Sequence, residues 1–232
     1  MPNDLFQCEE IISYTDMCSV EAISLQAGMN FRGNNSVFLM SRRTGAPYSD
    51  TFDRDRDILI YEGHDEPRRV GGPDPKSVDQ PLKPKTQNWK FFDAAVAFKT
   101  GLRPEPLCIR VYEKLKAGIW VFNGTFALQD AYKQESNGRF VVKFELSLLA
   151  QQVSGRTDMA IRDLSDHNRM IPSSVKQEVF KRDKGKCVIC GSSKNLHFDH
   201  DLPFSRGGTS LLAENIRLLC ATHNLSKGAR IE

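Results

Sequence analysis

Hydrophobic and polar positions alternate most regularly in the middle of the chain, where every second residue of one segment is apolar: Phe140, Val142, Phe144, Leu146 and Leu148. This is the period of a strand with one buried face. β-Branched and aromatic residues at 108–112, 119–122 and 125–132 predict three more strands. Asn123-Gly124 and Asn137-Gly138 are strong signals for two-residue hairpin turns. Residues 119–148 are therefore predicted to form an antiparallel meander.

The flanking segments carry weaker patterns. Helical spacing predicts a helix over 89–99, and short apolar runs predict strands at 36–41 and 58–61. Near the C-terminus, Pro172 precedes a segment in which Ser174 and Gln177 have capping-box spacing, so a helix is predicted there. We expect an α+β protein with an N-terminal domain over 1–150, a linker over 151–172 and a small C-terminal domain over 173–232.

The composition of the 232 residues, 40% hydrophobic and 26% charged, is that of an ordinary globular protein. No apolar run approaches the roughly 20 residues of a membrane span, so we expect no membrane association. The N-terminus lacks the basic start and apolar stretch of a signal peptide, so a cytoplasmic location is expected. There, clustered cysteines suggest a metal site before a disulfide.

Charge is unevenly distributed, although the net charge is only +3. Residues 172–232 contain 10 Lys and Arg against 6 Asp and Glu. A basic C-terminal domain is compatible with DNA binding, and equally with an ordinary solvated surface.

Two cysteine-containing pairs have the spacing of zinc ligands. Cys187 and Cys190 form a C-x2-C pair, and after 29 intervening residues Cys220 and His223 form a C-x2-H pair. Three thiolates and one imidazole are a donor set that tetrahedral zinc prefers. The alternative is that these are four unrelated core residues. A zinc ion here would stabilise a domain of about 60 residues that is small for its core alone.

A second group of polar residues lies between those pairs. Asp199-His200 is predicted to end a strand, and a glycine-rich loop then leads to Asn215, a strand over 216–219 and a helix that carries Asn224. This order resembles the HNH endonucleases, which share the ββα-metal fold, and in particular their zinc-stapled subgroup. The resemblance covers roughly residues 175–229.

The HNH resemblance implies a role for each matching residue. His200 would be the general base, Asp199 and Asn224 would hold one Mg²⁺ or Mn²⁺, and Asn215 would orient the loop that carries His200. The four zinc-spaced residues would hold a structural zinc ion. Three basic residues are candidate DNA contacts: Arg32, Arg206 and Lys227.

The N-terminal domain resembles the SRA (SET- and RING-associated) domain over roughly residues 30–148. The matching motifs are Gly45-Ala46-Pro47-Tyr48-Ser49-Asp50, Tyr61-Glu62-Gly63, Val78-Asp79-Gln80-Pro81-Leu82 and Asn123-Gly124. The resemblance implies a curved, PUA-like β-barrel that flips a modified cytosine into a pocket. Tyr48 and Tyr61 would stack on the base, and Asp50 would accept a hydrogen bond from its amino group, with Asp53 as a competing carboxylate.

Together, the two resemblances imply an endonuclease that reads 5-methylcytosine or 5-hydroxymethylcytosine in double-stranded DNA and cuts nearby. Because one HNH centre cuts one strand, a homodimer is expected for double-strand cleavage. The alternatives are an HNH nuclease that reads unmodified sequence or a different modification, and a reader without nuclease activity.

Overall fold

A computed structural model describes residues 6–42, 45–149, 170–202 and 207–227. The described residues fall into two compact units that are interleaved along the chain. Unit 1 draws on the ranges Met1–Ala22, Glu113–Asn123 and Gln151–Glu232, and unit 2 on Ile23–Tyr112 and Gly124–Ala150. A division falls between Ala150 and Gln151, but Met1–Ala22 and Glu113–Asn123 group with the C-terminal range and not with the rest of 1–150.

Unit 1 contains an antiparallel sheet in the order β10-β9-β1-β7. Its elements are β1 (Glu10–Ser13), α1 (Tyr14–Glu21), the first part of β7 (Ile119–Ser136), α3 (Ser173–Arg182), β9 (Leu196–His200), β10 (Ile216–Cys220) and α4 (Ala221–Lys227). One sheet face packs on a core that includes Val175, Val179, Phe198 and Leu218. Alternation along β9 therefore places His197 and Asp199 on the opposite face.

Unit 2 contains a sheet in the order β2-β3-β6-β7-β8-β5-β4. Its elements are β2 (Met29–Asn30), β3 (Ser36–Met40), β4 (Thr51–Asp53), β5 (Ile58–Glu62), a 3₁₀ turn (Pro75–Ser77), α2 (Gln87–Lys99), most of β6 (Leu107–Lys116), the rest of β7, and β8 (Arg139–Leu148). Phe38 lies 4.6 Å from Phe91 and 5.9 Å from Phe144, measured between ring centroids, in the core of this unit. The α+β class is confirmed, while closure into a barrel stays a prediction.

Of the two predicted hairpins, only the second is present. Asn137 and Gly138, with φ of 54° and 75°, join β7 to β8 as a primed turn requires. The prediction of a hairpin at Asn123-Gly124 is wrong, because β7 runs through both residues without a break. The Asn123 side chain is buried and accepts a hydrogen bond from Lys176 Nζ at 2.8 Å. This distant partner outweighs the local turn preference.

The predicted capping box of α3 is also wrong. The helix begins at Ser173, with Pro172 as its N-cap and no side-chain capping bond. Ser173 instead contacts the carboxylate of Glu113 in the interior of unit 1. Among the described residues, no helix has the length and apolar character needed to cross a membrane.

Candidate functional site

The four residues with zinc-ligand spacing converge in unit 1, and their ligand atoms all lie within 4.8 Å of one another. Cys190 Sγ is 3.8 Å from Cys220 Sγ, and His223 Nδ1 is 3.4 Å from Cys187 Sγ and 3.2 Å from Cys220 Sγ. Tetrahedral zinc with bonds of about 2.3 Å to sulfur separates two sulfurs by about 3.8 Å. The donor set and its spacing therefore fit a zinc ion.

Local backbone geometry favours the metal-binding form of Cys187. Burial alone raises the pKa of this thiol, but backbone N–H groups of Cys190, Cys220 and Ile189 donate to its sulfur and lower the pKa to about 6. A thiolate is the form that binds metal. The turn is closed by the Gly191 N–H, which donates to the Cys187 carbonyl at 2.8 Å.

Asp199 and His200 end β9, where they pair with Arg217 and Ile216 of β10. Helix α4 packs against this strand end. Lys227 Nζ lies 2.5 Å from Asp199 Oδ2 and also contacts the His200 carbonyl oxygen. The strand end and the helix are thereby held together at the predicted catalytic residues.

Helix α4 carries residues of both predicted metal sites. His223 belongs to the cysteine cluster, and Asn224 is the next residue. Asn224 precedes Lys227 by three residues, so the two lie on neighbouring positions of one helix side. The approach of the Asn224 amide to Asp199 stays a prediction.

The predicted DNA contacts have different outcomes. Lys227 is 2% exposed and its ammonium group bonds inward, so a surface phosphate contact does not fit its position. Arg32 lies exposed between β2 and β3, where a DNA contact stays a prediction. Arg206 lies outside the described residues.

Asn215 ties together the two ends of the loop that follows His200. Its Nδ2 donates to the carbonyl oxygens of Leu202 and Thr209 at 3.1 and 2.9 Å, and its Oδ1 accepts from the Leu202 N–H at 2.8 Å. Gly208 lies inside this closure, because a Cβ there would be 1.8 Å from the Leu202 carbonyl oxygen. The amide of Asn215 thus holds Leu202 and Thr209 close together.

Unit 2 contains an open cavity of about 550 Å³. Its walls include Tyr48, Asp50, Glu62, Lys76 and Arg139. Two of the three predicted base-pocket residues are therefore brought together, and the third, Tyr61, is not among the lining residues.

The predicted stacking role of Tyr61 does not fit its position. The side chain is fully buried, and its ring stacks on Phe38 at a centroid distance of 4.1 Å. Its hydroxyl lies 3.0 and 3.1 Å from the carbonyl oxygens of Gly28 and Leu39, and 2.9 Å from His64 Nε2. Tyr61 is therefore a core residue that has no face for a base.

The residue next to Tyr48 is instead His64, whose ring stacks on the Tyr48 ring at 4.0 Å with an interplanar angle of 11°. Gly28 makes room for this imidazole, since a Cβ at Gly28 would lie 2.0 Å from His64 Cε1. Burial lowers the pKa of His64 to about 4, so the ring is neutral at neutral pH. Lys76 Nζ lies 4.2 Å from the Tyr48 ring centroid. His64 holds one face of Tyr48, and Lys76 covers the other at the cavity.

Asp50, not Asp53, supplies the carboxyl group of the cavity. Asp50 is 8% exposed and its Oδ1 accepts from the Glu62 N–H at 3.0 Å. Burial raises the pKa of Asp50 to about 7. Asp53 instead accepts hydrogen bonds from the N–H groups of Asp55 and Arg56, within the turn between β4 and β5.

A buried ion pair lies beside Asp50. Lys143 Nζ is 2.8 Å from Glu62 Oε2 and donates to the Ser49 carbonyl at 3.0 Å. Lys143 lowers the pKa of Asp50 and the Glu62 charge raises it, so burial remains the main cause of the value of about 7.

No protein-family model and no curated protein matches the chain. Solved structures that match include the SUVH5 SRA domain with hemi-methylated CG DNA, at 21% identity and a TM-score of 0.43 over 64% of this chain and 88% of that one. The SUVH5 SRA domain bound to fully hydroxymethylated CG DNA matches at 20% identity and a TM-score of 0.42 over 64% and 89%. KRYPTONITE in complex with mCHH DNA, an H3(1-15) peptide and SAH matches at 16% identity and a TM-score of 0.45 over 67% and 34%. At these TM-scores the likeness is too partial to assign a fold or a function to this chain.

Proposed function

We propose that the protein is a metal-dependent DNA endonuclease whose catalytic centre lies at the end of β9. The observation that carries this proposal is the arrangement around Asp199-His200. The dipeptide ends a strand, α4 is pinned against it through Lys227, and Asn215 closes the following loop. This is a ββα arrangement in which a carboxylate and an imidazole occupy the last two positions of one strand.

His200 is the proposed general base. It takes a proton from the water whose oxygen forms a bond to phosphorus, while the bond from phosphorus to the 3′ oxygen breaks. Asp199 and Asn224 would hold Mg²⁺ or Mn²⁺, which would supply positive charge to stabilise the phosphate and the leaving oxygen. The oxygen donors of these side chains suit such hard cations. Lys227 holds Asp199 Oδ2 and so fixes the orientation of the carboxylate.

We further propose that Cys187, Cys190, Cys220 and His223 bind a structural zinc ion. The ion would join the turn after α3 to the junction between β10 and α4. Because His223 and Asn224 are consecutive residues, fixing one also fixes the start of the helix that presents the other.

We infer that the cavity of unit 2 takes a modified cytosine extruded from the duplex. Extrusion is the only way for a protein to contact every edge of a base. Tyr48 offers a stacking face once the Lys76 ammonium moves aside, which also requires it to leave Asp65, at 2.8 Å, and the Pro47 carbonyl oxygen. Asp50 has the chemistry to bond the amino group of cytosine. The bound DNA would carry 5-methylcytosine or 5-hydroxymethylcytosine, and double-strand cleavage would need two copies of the chain.

The nuclease proposal is tested with His200→Ala. Purified wild-type protein with Mg²⁺ or Mn²⁺ should cut modified plasmid DNA, and the variant should lose this activity while it keeps its zinc content and DNA affinity. Cleavage by His200→Ala at the wild-type rate would overturn the assignment.

The reader proposal is tested with Tyr48→Ala and Asp50→Ala, using Tyr132→Ala as the matched control. Tyr132 lies on β7 and is not among the cavity residues. The two cavity variants should lose the preference for modified over unmodified DNA, and the control should keep it. A preference for modified DNA that survives both changes would mean that the modification is read through another surface. Wild-type protein that shows no such preference would favour recognition of unmodified sequence.

A further inference from the structure

A buried serine contacts the catalytic histidine. Ser210 is 1% exposed, and its Oγ lies 2.8 Å from His200 Nε2. We propose that Ser210 is the positioning residue that fixes the His200 ring, with Nε2 protonated and Nδ1 directed to the attacking water. This inference rests on the proposed nuclease function and deepens it.

The fold brings Ser210 to this position through the loop closure described above. Asn215 holds the carbonyl oxygen of Thr209, the residue before Ser210, and that of Leu202, two residues after His200. One amide group therefore sets the positions of the histidine and of its serine partner. A 2.8 Å contact between them follows from this shared anchor.

At Gly208 the loop packs too closely against its neighbours for any side chain. A Cβ at this position would be 1.8 Å from the Leu202 carbonyl oxygen and 3.0 Å from Asn215 Nδ2. A glycine and an asparagine are thus both used to hold Ser210 near the strand end. Such support is typical of a ring that must be oriented for proton transfer.

The chemistry of imidazole explains why the orientation matters. A neutral imidazole carries one proton, and the hydrogen bond made by one nitrogen decides which nitrogen holds it. If Nε2–H donates to Ser210 Oγ, Nδ1 keeps the lone pair that accepts a proton from water. Loss of the serine oxygen removes the hydrogen bond that favours Nε2–H, so the population that carries its proton on Nδ1 rises, and that population cannot accept a proton there.

The test compares Ser210→Ala with Ser210→Thr, which keeps the hydroxyl group, and with Ser193→Ala, the same truncation at an exposed site. We expect Ser210→Ala to lower kcat by about 10- to 100-fold, the loss usual for partners that orient a functional histidine. KM, DNA affinity and zinc content should stay unchanged. Ser210→Thr should recover much of the activity, and Ser193→Ala should match wild type.

A spectroscopic measurement tests the contact without relying on cleavage. Long-range ¹H–¹⁵N correlation spectra distinguish the two tautomers of neutral histidine, and the signals of His200 are identified among the five histidines by their loss in His200→Ala. We expect the Nε2–H form in wild type and a mixture in Ser210→Ala. An Nδ1–H form in wild type would overturn the inference.

The two proposals fail in different ways. If wild-type protein cuts DNA and Ser210→Ala cuts within twofold of it, the nuclease stands and the role of Ser210 is refuted. If wild-type protein cuts no DNA, the nuclease proposal fails, and the tautomer spectra still decide whether Ser210 fixes the ring.

Discussion

Asp50 lines the cavity of unit 2, and His64 stacks on Tyr48 of its wall. We expect the two groups to change stability in opposite directions as the pH falls. The perturbations are Asp50→Asn and His64→Gln, each of which removes one titrating group and keeps a side chain of similar shape. Each variant is compared with wild type by urea unfolding between pH 4 and pH 8.

The sizes follow from the two pKa changes. Burial raises the pKa of Asp50 from 3.8 to about 7, so its contribution to the free energy of unfolding is largest below pH 3.8 and is lost as the pH rises to 7. The change corresponds to about 4 kcal/mol. Burial lowers the pKa of His64 from 6.5 to about 4, so its contribution is present above pH 6.5 and is lost as the pH falls to 4. That change corresponds to about 3 kcal/mol.

The two contributions nearly cancel in wild type, and single substitutions separate them. Relative to wild type, Asp50→Asn should lose about 3–4 kcal/mol of stability between pH 7 and pH 4, and His64→Gln should gain about 3 kcal/mol over the same range. Circular dichroism follows the unfolding. Curves for the variants that run parallel to the wild-type curve across this range would refute the assigned burial of both groups.

Three further outcomes are expected. Lys176 Nζ lies 2.8 Å from a Glu9 carboxylate oxygen and 3.3 Å from one of Glu113. Lys176→Met removes this shared ammonium and should lower the free energy of unfolding in urea by about 3–5 kcal/mol. An unchanged unfolding midpoint would contradict this. Cys190→Ser should purify without zinc, as measured by elemental analysis. Cleavage at the wild-type rate by the zinc-free variant would argue against a structural role for the ion. Lys227→Met should slow cleavage at least about tenfold. It should leave the salt dependence of DNA binding unchanged, because a buried ammonium contacts no phosphate. A weaker salt dependence in the variant would show that Lys227 does contact a phosphate.

Much of the candidate site is readable from sequence because it is local. The four zinc-spaced residues come from one tight turn and one strand–helix junction, and the strand-loop-strand-helix order around His200 follows from apolar runs and glycines. The contact between His200 and Ser210 is different, since it depends on where Asn215 places the loop. The spacing of apolar residues along the sequence does not predict the distance between these two side chains.

The errors share one physical cause, which is a partner distant in sequence. Asn123 has strong turn propensity, yet Lys176 draws its side chain into the interior and the strand continues. Tyr61 stands at a position typical of a base-stacking residue, but His64 occupies the adjacent space because Gly28, far along the chain, leaves room for it. The pairing of β1 with β9 is likewise invisible to local patterns.

The most direct test of the nuclease and reader assignments together is digestion of otherwise identical DNAs that carry cytosine, 5-methylcytosine or 5-hydroxymethylcytosine. Wild-type protein and His200→Ala are compared in Mg²⁺ or Mn²⁺, with the ends mapped. We expect wild-type protein to cut the modified DNAs near the modified base and to leave unmodified DNA intact, and His200→Ala to cut none. Equal cleavage of all three DNAs, or cleavage by the variant, would contradict the account.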